Sequence, residues 1–231
     1  MLLLSIDSST RGCSVALYQD QVLLATNDLF TDRSSSAMLT ILLDNLVRST
    51  GHSLHDLDAV AVAKGPGSYT GLRVAVSTAK GLCFALEKPL LAANTLAGMA
   101  QQVYGFFSDD TWFCPMIDAR RMEVYAAIYN AQGQEMEPTK AIILDETSFA
   151  ETLDSHRLVF FGDGAAKCKP LLGAHPQAIF LDEEIRPSAS TIGKLALAAY
   201  EAGDFEDLAT FEPYYLKDFM SPKPKKSPLI P

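Results

Sequence analysis

Two short apolar runs, each closed by an aspartate, set the frame of this chain. Leu2–Asp7 leads into Ser8-Ser9-Thr10-Arg11-Gly12, and Trp112–Ile117 leads into Asp118-Ala119-Arg120-Arg121. A buried strand ending in a polar turn is the simplest account of each. Similar elements follow both. Cys13–Tyr18 and Val22–Thr26 predict a strand pair around Gln19-Asp20-Gln21, a turn without the usual glycine or asparagine. Met38, Leu42 and Leu46 at i, i+4 spacing predict a helix over Ser34–Arg48, stopped at Gly51. Ala59–Ala63 then predicts a strand, Leu72–Glu87 a helix, Leu90–Ala93 a strand and Thr95–Val103 a helix. After the second aspartate, Val124–Tyr129 and Ala141–Leu144 predict strands, Thr147–Leu153 a helix, Leu158–Phe161 a strand and Ala165–Leu172 a helix. Ala178–Leu181 predicts a short strand and Ser190–Ala202 an amphipathic helix.

Both halves therefore read strand-strand-strand-helix-strand-helix. This order predicts a duplicated α/β chain: one lobe over residues 1–105, a second over 106–220, and a tail over 221–231. The tail holds three lysines and four prolines and has little apolar surface to bury. The helix over 190–202 has room to pack back on the first lobe.

With 48% hydrophobic and 20% charged residues among 231, the chain can bury a real core. Nineteen Lys and Arg against 28 Asp and Glu give a net charge of −9. That balance argues against autonomous nucleic-acid binding, which needs a basic surface, and suits a basic protein partner. No apolar run approaches the roughly 18 residues of a membrane span. Met1-Leu2-Leu3-Leu4 reaches Asp7 with no basic lead, unlike a signal peptide. Cys13, Cys83, Cys114 and Cys168 are scattered without a C-x-x-C pair, as in a reduced, cytoplasmic protein.

Two lobes of this order resemble the actin-like ATPase fold, in which the interlobe cleft holds a nucleotide. Four separated motifs are more specific. They are Ile6-Asp7-Ser8-Ser9 with Cys13-Ser14-Val15-Ala16-Leu17; Lys64-Gly65-Pro66-Gly67-Ser68-Tyr69-Thr70-Gly71-Leu72-Arg73 with Ala79-Lys80-Gly81-Leu82; Ile117-Asp118-Ala119-Arg120-Arg121-Met122-Glu123-Val124-Tyr125; and Pro213-Tyr214-Tyr215-Leu216-Lys217. In kind and order they resemble the bacterial TsaB family, also called YeaZ. The resemblance implies a role in making threonylcarbamoyladenosine beside the anticodon of tRNAs that read codons beginning with A. It implies a catalytically silent paralogue of TsaD that pairs with TsaD, is served by TsaE, and forms a homodimer when alone. On that footing tRNA meets this chain only through the complex, no membrane is involved, and no cofactor is held tightly. ATP or ADP would sit only at the complex with TsaD.

Asp7, Ser9 and Thr10 form one candidate anion loop, and Asp118 with Arg120 the second. In active members of the fold such aspartates lie near metal and phosphate. Here Ala119 and two arginines stand where glycine lets backbone approach phosphate, so a degenerate loop, an ion pair with Glu123 and a plain turn all stay open. Gly162-Asp163-Gly164 reads as a strand-to-helix turn. The Gly65–Gly71 loop precedes a helix, as anion cradles do, but lacks Walker spacing, and Pro66 removes a donor; a stiff, close-packed turn is the simpler reading. TsaD proteins hold a metal through two histidines four apart on the first-lobe helix. The matching start, Asp32 to Met38, contains no histidine. His52 and His55 read as solvated loop residues, so no metal site is expected.

Both first-lobe helices are apolar over more than one face. With the family resemblance, this makes Met38, Leu42, Leu46, Arg73, Val76, Ala79, Lys80 and Cys83 the expected partner interface. Two other functions remain. Asp7 and Asp118 would serve an active actin-like ATPase or small-molecule kinase, with magnesium on either aspartate. A glycoprotease-like peptidase is the remoter alternative, since no Gly-x-Ser-x-Gly elbow is present.

Overall fold

The computed structural model describes residues 1–31 and 35–217, without the side chains of 35–37. The Asp32–Ser34 segment with its missing histidine pair, and the tail over 221–231, lie outside the described residues.

Ten strands form two five-stranded sheets. The first holds β1 (Leu2–Asp7), β2 (Cys13–Gln19), β3 (Val22–Leu29), β4 (Ala59–Gly65) and β5 (Leu90–Asn94), in the order β3-β2-β1-β4-β5. The second holds β6 (Thr111–Asp118), β7 (Glu123–Tyr129), β8 (Glu135–Ile143), β9 (Arg157–Phe161) and β10 (Ala178–Phe180), in the order β8-β7-β6-β9-β10. The two orders match position by position. In each sheet the first three strands are antiparallel neighbours and the last two join in parallel. The duplication is therefore one of topology as well as element order.

Helices α1 (Ser35–Ser49) and α2 (Tyr69–Leu86) cover one face of the first sheet, around Leu4, Ile6, Val15, Leu17, Val60 and Val62. The sheet's other face, with Leu3, Ala16, Ala61 and Leu91, is covered by Ile192 and Ala196 of α6 (Ala189–Ala202). This last helix is anchored there by Ser5 Oγ donating to Ala189 O at 2.7 Å and Tyr18 OH donating to Ser190 O at 2.7 Å. Conversely, Leu96, Met99 and Ala100 of α3 (Thr95–Ala100) pack on Phe113, Val159 and Phe161 of the second sheet. The outer face of that sheet is closed by α4 (Ala150–Ser155) and α5 (Ala165–Leu172). Each half thus lends its final helix to the other's sheet. Each fully buried Leu, Ile or Phe in these layers contributes about 1.5–3 kcal/mol.

Five expected boundaries shift by three residues or more. β3 runs to Leu29 rather than Thr26. α2 begins at Tyr69 rather than Leu72, because the Ser68 hydroxyl caps it, accepting from Gly71 N at 3.3 Å. α3 ends at Ala100 rather than Val103, in turn structure. α4 starts at Ala150 rather than Thr147, after Phe149 takes a left-handed backbone at φ 63°. β8 begins at Glu135, six residues before the expected Ala141. The β2–β3 turn lacks glycine, yet Asp20 and Gln21 take positive φ values of 47° and 70°.

Candidate functional site

The two post-strand loops carry the same local device. Asp7 Oδ1 accepts from both Ser9 N and Ser9 Oγ at 2.7 Å, closing an Asx turn. Asp118 Oδ1 accepts from Arg120 N at 2.5 Å, two residues on in the same way. The surroundings differ. Asp7 is only 3% exposed, and its Oδ2 has no partner. Burial pushes its carboxyl up to about 6, against the pull of the Ser9 hydrogen bonds and with a smaller push from Asp28. Asp118 is exposed and takes the Lys167 ammonium at 2.6 Å. Partial burial raises Asp118, but the Lys167 hydrogen bond, the Arg120 N–H and the charges of Lys167 and Arg11 together hold it below the ordinary range. Asp118 N donates to Asp163 Oδ1 at 2.8 Å.

The glycine-rich loop is a packing element. Ser68 N donates to Ser9 O at 2.6 Å, and Ser8 Oγ donates to Gly71 O at 2.7 Å. A Cβ at Gly67 would lie 2.2 Å from Ser9 O, and one at Gly71 would lie 1.9 Å from Ser8 O. These glycines let α2 start hard against the Asp7 loop. Gly162 likewise sits over the end of β6.

Between the lobes lies a cleft of about 280 Å³. Thr10, Arg11, Gly12 and Phe30 line it from the first half, Asp163 and Arg186 from the second. The Arg186 guanidinium stacks 4.5 Å from the Phe30 ring centroid and pairs with Glu184 at 2.5 Å. Thr10 faces this cleft, but Ser9 is fully buried with its donors spent on Asp7. A metal–triphosphate needs outward N–H and hydroxyl donors and a carboxylate open to the metal. With Ser9 turned inward and Asp118 on Lys167, the residues present do not fit such a group. Among the described residues, no three His, Cys, Asp or Glu side chains gather as a metal site requires. His156 stacks on Trp112 at 3.6 Å, and His52 Nδ1 lies 3.1 Å from Thr50 Oγ1.

The expected partner interface divides. Leu42, Leu46, Val76, Ala79 and Cys83 are buried in the chain's own core, packed with α1, α2 and the first sheet. A partner reaches them only if the helices leave the sheet, so these five are corrected to core positions. Met38 and Lys80 are half-buried, and Lys80 donates to Phe211 O at 3.0 Å. Arg73 is exposed. The outward face of α1 and α2 instead carries Ile41, Ser77, Gly81 and Phe84, with Phe84 82% exposed.

Sequence reasoning also missed Lys167, and it placed Lys217 in a motif without assigning its contacts. Lys217 Nζ pairs with Glu123 and reaches Ala119 O at 3.4 Å. Neither contact has a local sequence signal. Phe84 did have one: an aromatic residue on the polar stripe of α2, seven positions after Ser77.

Two lobes of matching topology, around a cleft lined by the loop after Asp7 on one side and by Asp163 on the other, define a protein of the actin-like ATPase fold. The activator of 2-hydroxyisocaproyl-CoA dehydratase from Clostridium difficile shares that fold at TM-score 0.50 and 9% identity, over 88% of this chain and 97% of its own. Residues 30–211 match the family described as TsaD, tRNA N6-adenosine threonylcarbamoyltransferase. The tRNA threonylcarbamoyladenosine biosynthesis protein TsaB of Escherichia coli (strain K12) is 32% identical, over 94% of this chain and 95% of its own. YeaZ from Pseudomonas aeruginosa superposes at TM-score 0.78 and 31% identity, over 93% of this chain and 99% of that one. The chain belongs to the TsaB (YeaZ) family.

Proposed function

We propose that this chain is a non-catalytic subunit in the making of threonylcarbamoyladenosine in tRNA, pairing with TsaD, which performs the transfer, and served by TsaE. The pathway is supported by similarity along 95% of the Escherichia coli relative named for it. The silent role is supported by one observation above all: the Lys167 ammonium sits on the Asp118 carboxylate where an active member of the fold would present it to a cation. Alone, the chain self-pairs through the surface it offers TsaD. TsaD holds the tRNA, and ATP or ADP sits at the junction of the complex. The protein acts in the cytoplasm; no helix among the described residues is long and apolar enough to cross a membrane.

The partner surface is the outward face of α1 and α2, centred on Phe84. An aromatic side chain this exposed is a natural anchor for a partner. The test is reconstitution. Purified TsaD and TsaE are supplied with threonylcarbamoyl-adenylate and tRNA, with and without this chain. Transfer should rise on addition, and equal transfer in both mixtures contradicts the proposal.

A further inference from the structure

We propose that the Arg120–Arg121 hairpin tip, with Arg73 and the Tyr69–Tyr215 ring pair beside it, is a phosphate-binding surface for RNA. This rests on the proposed role in tRNA modification and adds a contact of this chain's own.

The surface is continuous through the segment that ends at Lys217. The Tyr69 and Tyr215 rings lie 4.8 Å apart, and the Arg73 guanidinium lies 5.0 Å over the Tyr69 ring. Two residues on, Lys217 reaches Ala119 O of the hairpin and lies 5.7 Å over the Tyr125 ring. Two acids of this region are matched, Glu123 with Lys217 and Asp118 with Lys167. Burial pushes the Tyr215 hydroxyl up, and exposed Glu212 lies close enough to add to that push. Among the described residues, the exposed guanidiniums of Arg73, Arg120 and Arg121 have no carboxylate partner. In a chain of net charge −9, this gathering is not a consequence of composition.

The hairpin also holds both arginines in the left-handed backbone region, at φ 70° and 52°. Asparagine and glycine adopt that region far more readily. Two arginines there are poor choices for the turn and good ones for a bidentate grip on phosphate. Half-buried tyrosine rings and exposed arginine planes beside cations favour RNA, whose bases stack on them, over an acidic peptide, which uses the charges only. The net negative charge forbids a diffuse grip, so the contact depends on this strip.

The test is fluorescence anisotropy of a labelled oligouridylate with the full chain at low ionic strength. Saturable binding is expected, competed by total tRNA. Arg120→Gln/Arg121→Gln should weaken it at least about tenfold and flatten the salt slope by about one to two contacts. Both residues are exposed, so the variant should keep the wild-type circular dichroism and still co-purify with TsaD. No binding by the wild type, equal binding by the variant, or competition by polyglutamate but not tRNA overturns the proposal. Pairing with TsaD is read separately, so failure here and failure of the proposed function are distinct results.

Discussion

Lys167 and Asp118 form the pair that separates the two halves of this chain. Their Nζ and Oδ1 atoms lie 2.6 Å apart, at a loop end whose first-half counterpart, Asp7, is buried with no cation against it among the described residues. Equivalent positions in a duplicated topology have thus been resolved in two ways, burial in one lobe and an internal ammonium in the other.

Lys167→Met removes the ammonium and leaves Asp118 without its main charge partner. Asp118 titrates below its ordinary range when folded, so the pair's stabilisation is present above about pH 4 and lost as pH falls through the folded value. Asp118 is 42% exposed, and screening limits the loss to about 1 kcal/mol at neutral pH. Urea titrations at neutral pH and near pH 3 check this. The variant's deficit should be larger in the first than in the second.

Asp7→Asn should show the opposite pH dependence. The folded carboxyl of Asp7 is raised to about 6 from 3.8, so it favours the folded state below about pH 4, and that advantage is lost as pH rises through about 6. Asparagine keeps an acceptor for Ser9 and carries no charge. Between about pH 4 and 7.5, stability should move in the variant's favour by about 3 kcal/mol relative to wild type. A difference that stays flat with pH contradicts the burial argument.

Two glycines of one helix should respond oppositely to alanine. Gly71→Ala drives a Cβ into Ser8 O and should lose about 3 kcal/mol or more. Gly81 has no atom within 4 Å of the added methyl, and Gly81→Ala should gain about 0.5–1 kcal/mol. Thermal unfolding of the two variants decides it.

The partner surface is tested by Phe84→Glu against Ala79→Glu. Phe84 is exposed on the single chain, so at dilutions where the wild type is monomeric its variant should unfold within about 0.5 kcal/mol of wild type, yet fail to co-purify with TsaD. Ala79 is fully buried against the first sheet, and its variant should lose the fold itself. Retained pairing by Phe84→Glu places the interface elsewhere.

Much of this architecture is readable in the sequence because the central strands are buried on both faces. Leu2–Ile6, broken only by Ser5, and Ala59–Ala63 appear as apolar runs bounded by polar turns. β8 escaped in part because Glu135–Lys140 is a mostly exposed stretch of an edge strand, interrupted by Pro138. The helical wheel of α2 shows how wide the apolar arc is, but not which side meets the sheet. Val76, Ala79 and Cys83 were therefore placed at an interface when they belong to the core. The glycine-rich loop could be read as a close-packed turn, yet its packing partner, the Ser8–Ser9 backbone, lies some sixty residues away. The Lys167–Asp118 pair joins the end of β6 to α5 within the second half, 49 residues apart and with no periodicity between them. Contacts of that range come from topology and leave no local pattern.

The central claim is tested most directly in cells. The protein is depleted, and the threonylcarbamoyladenosine content of bulk tRNA is measured by mass spectrometry. The account predicts a fall, restored by the wild-type chain and by Lys167→Met, but not by Phe84→Glu. An unchanged level of the modified base would contradict it.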